Sequence, residues 1–146
     1  MSAQQNKASL RRLVEEFLNK GNLAFDEIVS PDLVLHILPP GTPPGAESLK
    51  RFAAMLRTAF PDIHFSIEDE VAEGDRVAVR LIATGTHLGP YVNGLTTPTG
   101  KRFSMQGLDI WRFGQDGKCA ECWSTYDTLS QLQQLGALPA AEPNPS

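Results

Sequence analysis

The spacing of apolar residues divides the chain into a helical first part and a strand-rich second part. Apolar side chains in residues 10–18 recur three and four positions apart, which predicts an amphipathic helix that ends near Gly21. Shorter patterns predict a second helix over residues 22–29 and a third over residues 47–60. Between these two helices, residues 32–38 alternate as a strand.

After Pro61 the apolar residues follow the two-residue alternation that is typical of β-strands. Turn residues interrupt this alternation at regular intervals, which indicates hairpins. The pattern predicts two hairpins and a closing helix: residues 63–71 with 76–87, residues 102–113 with 118–126, and residues 128–135.

Helices gathered ahead of a run of strands favour an α+β fold. In this fold we expect helices to cover one face of a curved, mostly antiparallel sheet. A chain of 146 residues is long enough for one core, so residues 1–146 are expected to form a single domain. Residues 139–146 are expected to be a flexible tail.

The second hairpin brings an acid and an amide together. If residues 116–117 form its two-residue turn, Gln106 lies directly across from Asp127. If the whole of residues 114–117 is loop, Gln106 faces Thr125 instead. Both registers keep these side chains on one face of the sheet, because side chains alternate along a strand. The same face also carries Leu108, Ile110 and Trp123.

The opposite face of this hairpin carries a second set of side chains. We expect the apolar surface formed by Met105, Trp111 and the neighbouring Phe113 to meet either a partner subunit or the protein's own helices. A homodimer is therefore expected. The set consists of Met105, Asp109, Trp111, Cys122, Ser124 and Tyr126.

Asp127 has two compatible interpretations. Asp is a favoured N-cap residue, and residues 128–135 followed by Gly136 are typical of a short helix. A carboxyl group with apolar neighbours also has a raised pKa, which makes it a better base for carbon acids. In that case the Gln106 amide could hold a developing enolate oxygen. The residues alone leave both interpretations open.

The histidines and cysteines do not follow metal-binding spacings. His36, His64 and His87 are scattered, so no metal site is expected. His36 and His87 could point into a pocket or be ordinary interior residues. Cys119 and Cys122 stand three positions apart on a strand and therefore point to opposite faces, which favours packing over a functional dithiol.

Charge and hydropathy exclude several classes of partner. The chain has 13 basic and 17 acidic residues, for a net charge of −4, and the basic residues form no continuous stripe, so nucleic acid is not an expected partner. The chain has neither a run of apolar residues long enough to span a membrane nor a signal-peptide pattern. We expect a cytoplasmic protein that binds a small, apolar or aromatic molecule.

Short segments in a characteristic order carry a resemblance to a known family. They extend from about His36 to Gly136, and their order and spacing are more specific than any single segment. They are Pro44-Gly-Ala-Glu-Ser-Leu49, Ala59-Phe-Pro-Asp62, Glu73-Gly-Asp-Arg-Val77, Thr84-Gly-Thr-His-Leu-Gly89, Pro98-Thr-Gly-Lys101, Asp116-Gly117 and Glu121-Cys-Trp-Ser-Thr-Tyr-Asp127. In this respect the chain resembles the SnoaL-like polyketide cyclases, or ester cyclases, of the nuclear transport factor 2-like superfamily.

The resemblance implies a conical α+β barrel with a deep pocket between sheet and helices, frequent dimerisation through the sheet, and no cofactor. In such cyclases an Asp on the last strand is acid and base in an intramolecular aldol closure, and Asp127 matches that position. The alternation of side chains in the second hairpin, rather than a motif match, places Gln106 beside it as a polar partner. His36 and His87 fall in segments that line the family's pocket, with Trp123 as a wall. The expected binding surface is completed by Thr125, Leu108 and Ile110.

The leading hypothesis is thus a cofactor-independent cyclase that closes a ring in a polyketide-like small molecule. Two alternatives remain open. One is a dimer that binds a small molecule without chemistry, and the other is an isomerase that resembles ketosteroid isomerase. The superfamily fold accommodates all three, so the fold alone does not choose between them.

Overall fold

The structure, a computed structural model, describes residues 2–91 and 97–139 of the chain. Except for Pro139, the predicted tail lies outside the described residues. The N-terminal helix begins with a capping box, in which the Ser2 hydroxyl accepts from the Gln5 N–H and the Gln5 side chain accepts from the Ser2 N–H. The elements are α1 (Ala3–Arg12), continued by a π-helix (Leu13–Leu18), β1 (Val29–Leu35), α2 (Ala46–Ala59), β2 (His64–Glu73), β3 (Arg76–Thr86), β4 (Arg102–Phe113), β5 (Cys119–Tyr126) and α3 (Thr128–Gln134).

The predicted helix over residues 22–29 is wrong. The Asn22 side chain accepts a hydrogen bond from the Ala24 N–H at 3.0 Å, and such local bonds compete with the helix. The chain then turns at residues 26–28 and enters β1 at Val29. The apolar residues behind the prediction still reach the core, because Phe25 and Ile28 are buried directly from the loop.

The strands form one five-stranded sheet in the order β1-β5-β4-β3-β2. The β2–β3, β3–β4 and β4–β5 pairs are antiparallel, whereas β1 pairs with β5 in parallel. The predicted α+β class and mostly antiparallel sheet are therefore confirmed. The sheet remains open, with β1 and β2 at its edges, and does not close into a barrel.

The second hairpin adopts the register in which Gln106 lies across from Asp127. Leu108 pairs with Thr125, and the Asp127 N–H donates to the Gln106 carbonyl at 3.0 Å. Nearer the turn, an irregularity between Arg112 and Phe113 shifts the pairing.

The helices cover the face of the sheet that carries the second set of side chains. On β3 and β4, Val77, Val79 and Trp111 are buried in one cluster with Leu13 and Phe17 of the N-terminal helix. The opposite face is open, where Leu108 is 50% and Ile110 is 42% exposed. Of the two expectations for Trp111 and Phe113, the structure selects contact with the protein's own helices.

Polar side chains fasten the helices to the sheet. The Asn19 amide donates to the Phe65 carbonyl at 2.9 Å, and its oxygen accepts from the Phe65 N–H at 2.8 Å. The Arg57 guanidinium of α2 donates to the carbonyls of Leu18 and Asn19 at 2.9 and 3.0 Å. These bonds join the end of the N-terminal helix to the edge strand β2 and to α2.

Asp127 caps the closing helix. Its carboxylate accepts from the Ser130 N–H at 3.1 Å, and its carbonyl accepts from the Gln131 N–H at 3.1 Å. The Gln134 amide then binds both backbone groups of Ser104 on β4, at 2.8 and 2.9 Å. The helix is thereby attached to the sheet at both of its ends. Among the described helices, none has the length and the apolar character needed to cross a membrane.

We expect Asp127→Ala to lower the free energy of unfolding by about 1 kcal/mol, the usual cost of a lost N-cap. Asp127→Asn keeps an oxygen that can accept from Ser130, so it should cost much less. Urea unfolding of the three proteins measures the difference. If the Asn and Ala variants are equally destabilised, capping is not the main role of this side chain.

Candidate functional site

A cavity of about 130 Å³ lies between the helices and the helix-covered face of the sheet. A cavity of about 150 Å³ with apolar walls can hold one benzene molecule, so this one fits a group of about one ring. Its wall includes Val14 and Leu18 of the π-helix, a structure that is frequent at functional sites. Most other wall residues are apolar, among them Leu35, Phe52, Leu56, Phe65, Leu81 and Met105.

Asp109 is a carboxyl group in this largely apolar wall. It lies in the middle of β4 and is only 6% exposed. Its Oδ2 accepts a hydrogen bond from the Trp111 indole N–H at 3.3 Å. Its Oδ1 is buried and has no hydrogen-bond partner among the described residues. Because Asp109 lines the cavity, a ligand bound there can meet this carboxyl group.

Burial raises the pKa of Asp109 to about 6. The hydroxyls of Ser124 and Tyr126 and the Trp111 indole N–H oppose this shift, because they stabilise the carboxylate. Ser124 is the residue of β5 directly across from Asp109. A carboxyl group with this pKa exchanges protons near neutral pH, as a general acid or base must.

A glycine in β4 makes room for the tyrosine beside this acid. Gly107 pairs with Tyr126, and a Cβ at position 107 would lie 2.2 Å from the Tyr126 ring. Only glycine therefore lets the ring lie across the strand. Burial and the nearby charge of Asp109 raise the pKa of Tyr126 well above its usual value. The phenol consequently stays protonated and can donate.

Gln131 of α3 contributes a second polar group to the wall. Its side chain is fully buried, and its Oε1 accepts from the Tyr91 hydroxyl at 3.3 Å. Its Nε2 has no hydrogen-bond partner in the described part of the chain. Leaving a buried donor unpaired costs about 1–3 kcal/mol, so the group is expected to meet a ligand or water.

Asp127 and Gln106 do not line this cavity. Both side chains are exposed, and Asp127 acts as the cap of α3. The Gln106 Oε1 accepts from Arg80 at 3.3 Å on the open face of the sheet. The predicted pairing of the two residues is confirmed by the register. The catalytic roles predicted for them stay predictions, and both side chains lie outside the wall of the cavity.

The other predicted binding residues on the hairpin lie on the open face too. They line a broad groove that also contains Val71 and Arg80. Both faces of this hairpin carry apolar residues, but the helices cover the face that contains Trp111 and leave the predicted residues uncovered. The predicted residues in the groove are Leu108, Ile110, Trp123 and Thr125.

The two predicted histidines lie in different places. His36 is exposed, stacks on Trp123 with ring centres 5.1 Å apart, and contacts Glu121 at 2.7 Å. His87 is buried, and its Nδ1 accepts from the Thr99 N–H at 3.1 Å, which fastens the loop before β4. Neither is among the residues that line the cavity.

Both cysteines are free and buried. Burial raises the pKa of each thiol, so neither is a thiolate at neutral pH. Cys122 lines the cavity, while Cys119 packs in the core. Within residues 2–91 and 97–139, no group of three or more His, Cys, Asp or Glu side chains could hold a metal ion.

Sequence reasoning placed Asp109, Ser124 and Tyr126 on one face but did not recognise that face as the wall of the pocket. The missed signal was Gly107, because a glycine inside a strand often marks a close approach. Gln131 was missed because one amide in the glutamine-rich helix α3 has no distinguishing local pattern.

Comparison with known proteins identifies the family. The family model for the SnoaL-like polyketide cyclases matches residues 8–135. No match was found among the curated proteins. Among solved structures, TsrD from Streptomyces laurentii has the same fold, with a TM-score of 0.83 at 24% identity, over 94% of this chain and 99% of TsrD.

Two further solved structures are more similar in sequence. IdmH from Streptomyces antibioticus, a candidate polyketide cyclase, has a TM-score of 0.76 at 33% identity, over 90% of this chain and 99% of IdmH. AclR from Streptomyces galilaeus, a candidate hydroxylase, has a TM-score of 0.80 at 29% identity, over 97% of this chain and 87% of AclR. The family match over most of the chain, together with these structures, confirms the resemblance, and the chain belongs to the SnoaL-like polyketide cyclase family.

Proposed function

We propose that this protein is a cofactor-independent cyclase in which Asp109 is the acid and base of an intramolecular aldol ring closure. The observation that carries the proposal is the burial of this carboxyl group in an apolar cavity, with a pKa of about 6 and one oxygen that has no partner in the described part of the chain. Family membership and the likeness to IdmH, itself a candidate polyketide cyclase, support the same reaction class.

The chemistry requires one group that moves a proton twice. The Asp109 carboxylate removes a proton from a carbon next to a carbonyl, and the resulting enolate forms a carbon–carbon bond to a second carbonyl of the same molecule. The protonated Asp109 then returns the proton to the new alkoxide. Proton and charge balance within the site, and the apolar wall folds the flexible chain toward reaction.

The neighbours of Asp109 suit this role. The Trp111 indole N–H donates to Oδ2, whereas Oδ1 accepts no hydrogen bond from the described residues. The protonated Tyr126 and Ser124 stabilise the carboxylate enough for it to ionise near neutral pH. Without these donors, burial alone would keep the carboxyl group protonated over a wider pH range.

Two alternatives use the same cavity. In a binding protein without chemistry, the cavity would hold a ligand and Asp109 would only orient it. In an isomerase, Asp109 would move a proton between two carbons of one substrate, and the presence of Tyr126 in the same wall favours this alternative over the first. Product analysis separates closure from isomerisation, because only closure joins two carbons.

The role of Asp109 is testable with 1-phenylpropan-2-one, a one-ring ketone with exchangeable protons between ring and carbonyl. We expect the wild-type protein to speed their exchange with deuterium in D₂O, measured by proton NMR. Asp109→Asn removes the base and should slow the exchange at least about 100-fold. The rate of the wild type should rise with pH up to about 6 and then level off, following ionisation of Asp109.

Asp127→Asn is the matched control, since it changes the same functional group in the same hairpin. This variant should exchange protons at the wild-type rate. If exchange is lost in Asp127→Asn and kept in Asp109→Asn, the roles of the two acids are reversed. If neither variant loses exchange, the acid–base proposal is wrong.

The raised pKa of Asp109 also predicts a pH-dependent stability. Below pH 3.8 this group is protonated in both the folded and the unfolded protein. Between pH 3.8 and about 6 the unfolded chain ionises this carboxyl group while the folded protein keeps it protonated, so the free energy of unfolding falls by about 3 kcal/mol and then levels off. Urea unfolding between pH 4 and pH 8 should show this fall in the wild type and not in Asp109→Asn. Parallel pH profiles for the two proteins would contradict the assignment.

We infer further that the open face of the sheet joins two copies of the chain as a homodimer. Val71 is 66% exposed there, beside Leu108 and Ile110, and exposed apolar groups gathered on one face are typical of an interface. The Arg80–Asp69 ion pair, at 2.6 Å, adds polar groups of both signs to this face. A second copy presents the same mixed surface, as a two-fold interface requires.

Leu108→Glu places a charge in the middle of this face and should convert a dimer into a monomer. Leu129→Glu is the control, because Leu129 is equally apolar and 61% exposed but lies on α3. Light scattering after gel filtration measures the mass of each protein. A monomeric wild type, or a Leu108→Glu variant that remains dimeric, would argue against assembly through this face.

A further inference from the structure

We propose that Gln131 is a substrate-positioning residue whose Nε2 donates a hydrogen bond to a carbonyl oxygen of the ligand. The inference rests on the proposed function for the assumption that the cavity takes a substrate. It adds a requirement for that substrate, which must present a ketone or ester carbonyl to α3 while an acidic carbon meets Asp109. Both side chains line the same cavity.

The first observation is that only the oxygen of the Gln131 side-chain amide makes a hydrogen bond. The Gln131 side chain is fully buried, and the Tyr91 hydroxyl donates to its Oε1 at 3.3 Å. Burial raises the pKa of Tyr91, so that hydroxyl remains a donor. Its bond directs Oε1 to the tyrosine and leaves the two Nε2 hydrogens without an acceptor in the described part of the chain.

The second observation is that the amide is held in place. Its helix is capped by Asp127, and Gln134 binds both backbone groups of Ser104 on β4. Leu135, at the end of the helix, is fully buried in the smaller core cluster. A donor fixed in this way loses little freedom when a ligand binds, which makes its hydrogen bond more favourable.

The third observation concerns the chemistry of the acceptor. The amide is uncharged, and the carboxylate of Asp109 in the same wall opposes the binding of an anion. The remaining wall is largely apolar and favours a ligand whose other groups are apolar. A neutral carbonyl on an aromatic or aliphatic body satisfies all of these conditions.

Tyr126 lines the same cavity as the two polar groups. It packs against the larger core cluster, which contains Trp111, and against the smaller one, which contains Leu135. A ligand carbonyl held by Gln131 would therefore lie in the same cavity as Asp109 and the half-buried Tyr126 ring. A ligand that meets both Gln131 and Asp109 is held at two points, which limits the carbons that can reach the base.

The test uses acetophenone and ethylbenzene, which have the same ring and the same two-carbon side chain and differ in the carbonyl oxygen. We expect Gln131→Met to weaken acetophenone binding about tenfold in calorimetric titrations and to leave ethylbenzene binding unchanged. Gln133→Met, on the same helix and outside the cavity wall, should change neither affinity.

A second measurement does not depend on the stability of the variant. The infrared carbonyl band of carbon-13-labelled acetophenone should lie at lower frequency when bound to the wild type than in heptane, because a hydrogen bond weakens the double bond. In Gln131→Met the band should return toward the heptane position. A structural role for the glutamine would not move this band.

Three results would overturn the assignment. They are a wild type that does not bind acetophenone, a Gln131→Met variant that weakens both ligands equally, and a carbonyl band that is the same in both proteins. None of these depends on proton exchange. If Asp109→Asn keeps full exchange activity while Gln131→Met loses the band shift, the proposed function fails and the carbonyl site stands.

Discussion

The fold depends on the burial of one face of an open five-stranded sheet beneath the helices. Val77, Val79 and Trp111 point to that face and pack against Leu13 and Phe17. Because side chains alternate along a strand, this contact also decides the surroundings of every other residue on β3, β4 and β5. The cavity lies within this contact, where the wall side chains leave space between helices and sheet. Its position follows from the way Asn19, Arg57 and their partners hold the helices.

The same burial gives Asp109 its chemistry. A carboxyl group in the middle of a strand on the helix-covered face must lose most of its water, and its pKa rises to about 6 as a result. This placement destabilises the folded protein at neutral pH. The neighbouring donors Trp111, Ser124 and Tyr126 reduce that cost but do not remove it. A buried acid with a perturbed pKa in an apolar cavity is a frequent property of active sites.

Much of the fold could be predicted from the sequence, because long periodic segments carry strong signals. The predicted bounds of β4 agree with the structure, as do one of the two registers considered for β4–β5 and the division of that hairpin into two faces. Which face is covered could not be predicted from the hairpin, since Leu108 and Ile110 on one side match Met105 and Trp111 on the other in apolar character. The apolar residues of β3 alternate clearly, so they would show which face is covered once β3 is paired with β4. The sequence does not predict that pairing, because many residues separate the two strands and no local rule fixes their register.

The candidate site shows why residue type alone does not distinguish two candidate acids. Asp127 and Asp109 are the same side chain, one solvated at a helix start and one buried, and only the fold distinguishes their surroundings. Capping nevertheless connects the two, because Asp127 holds the helix that brings Gln131 to the cavity. Both residues line the cavity, and each has a buried atom without a hydrogen-bond partner among the described residues. A ligand that bonded to both atoms would remove both costs at once, which is why the proposed function and the proposed carbonyl site support each other.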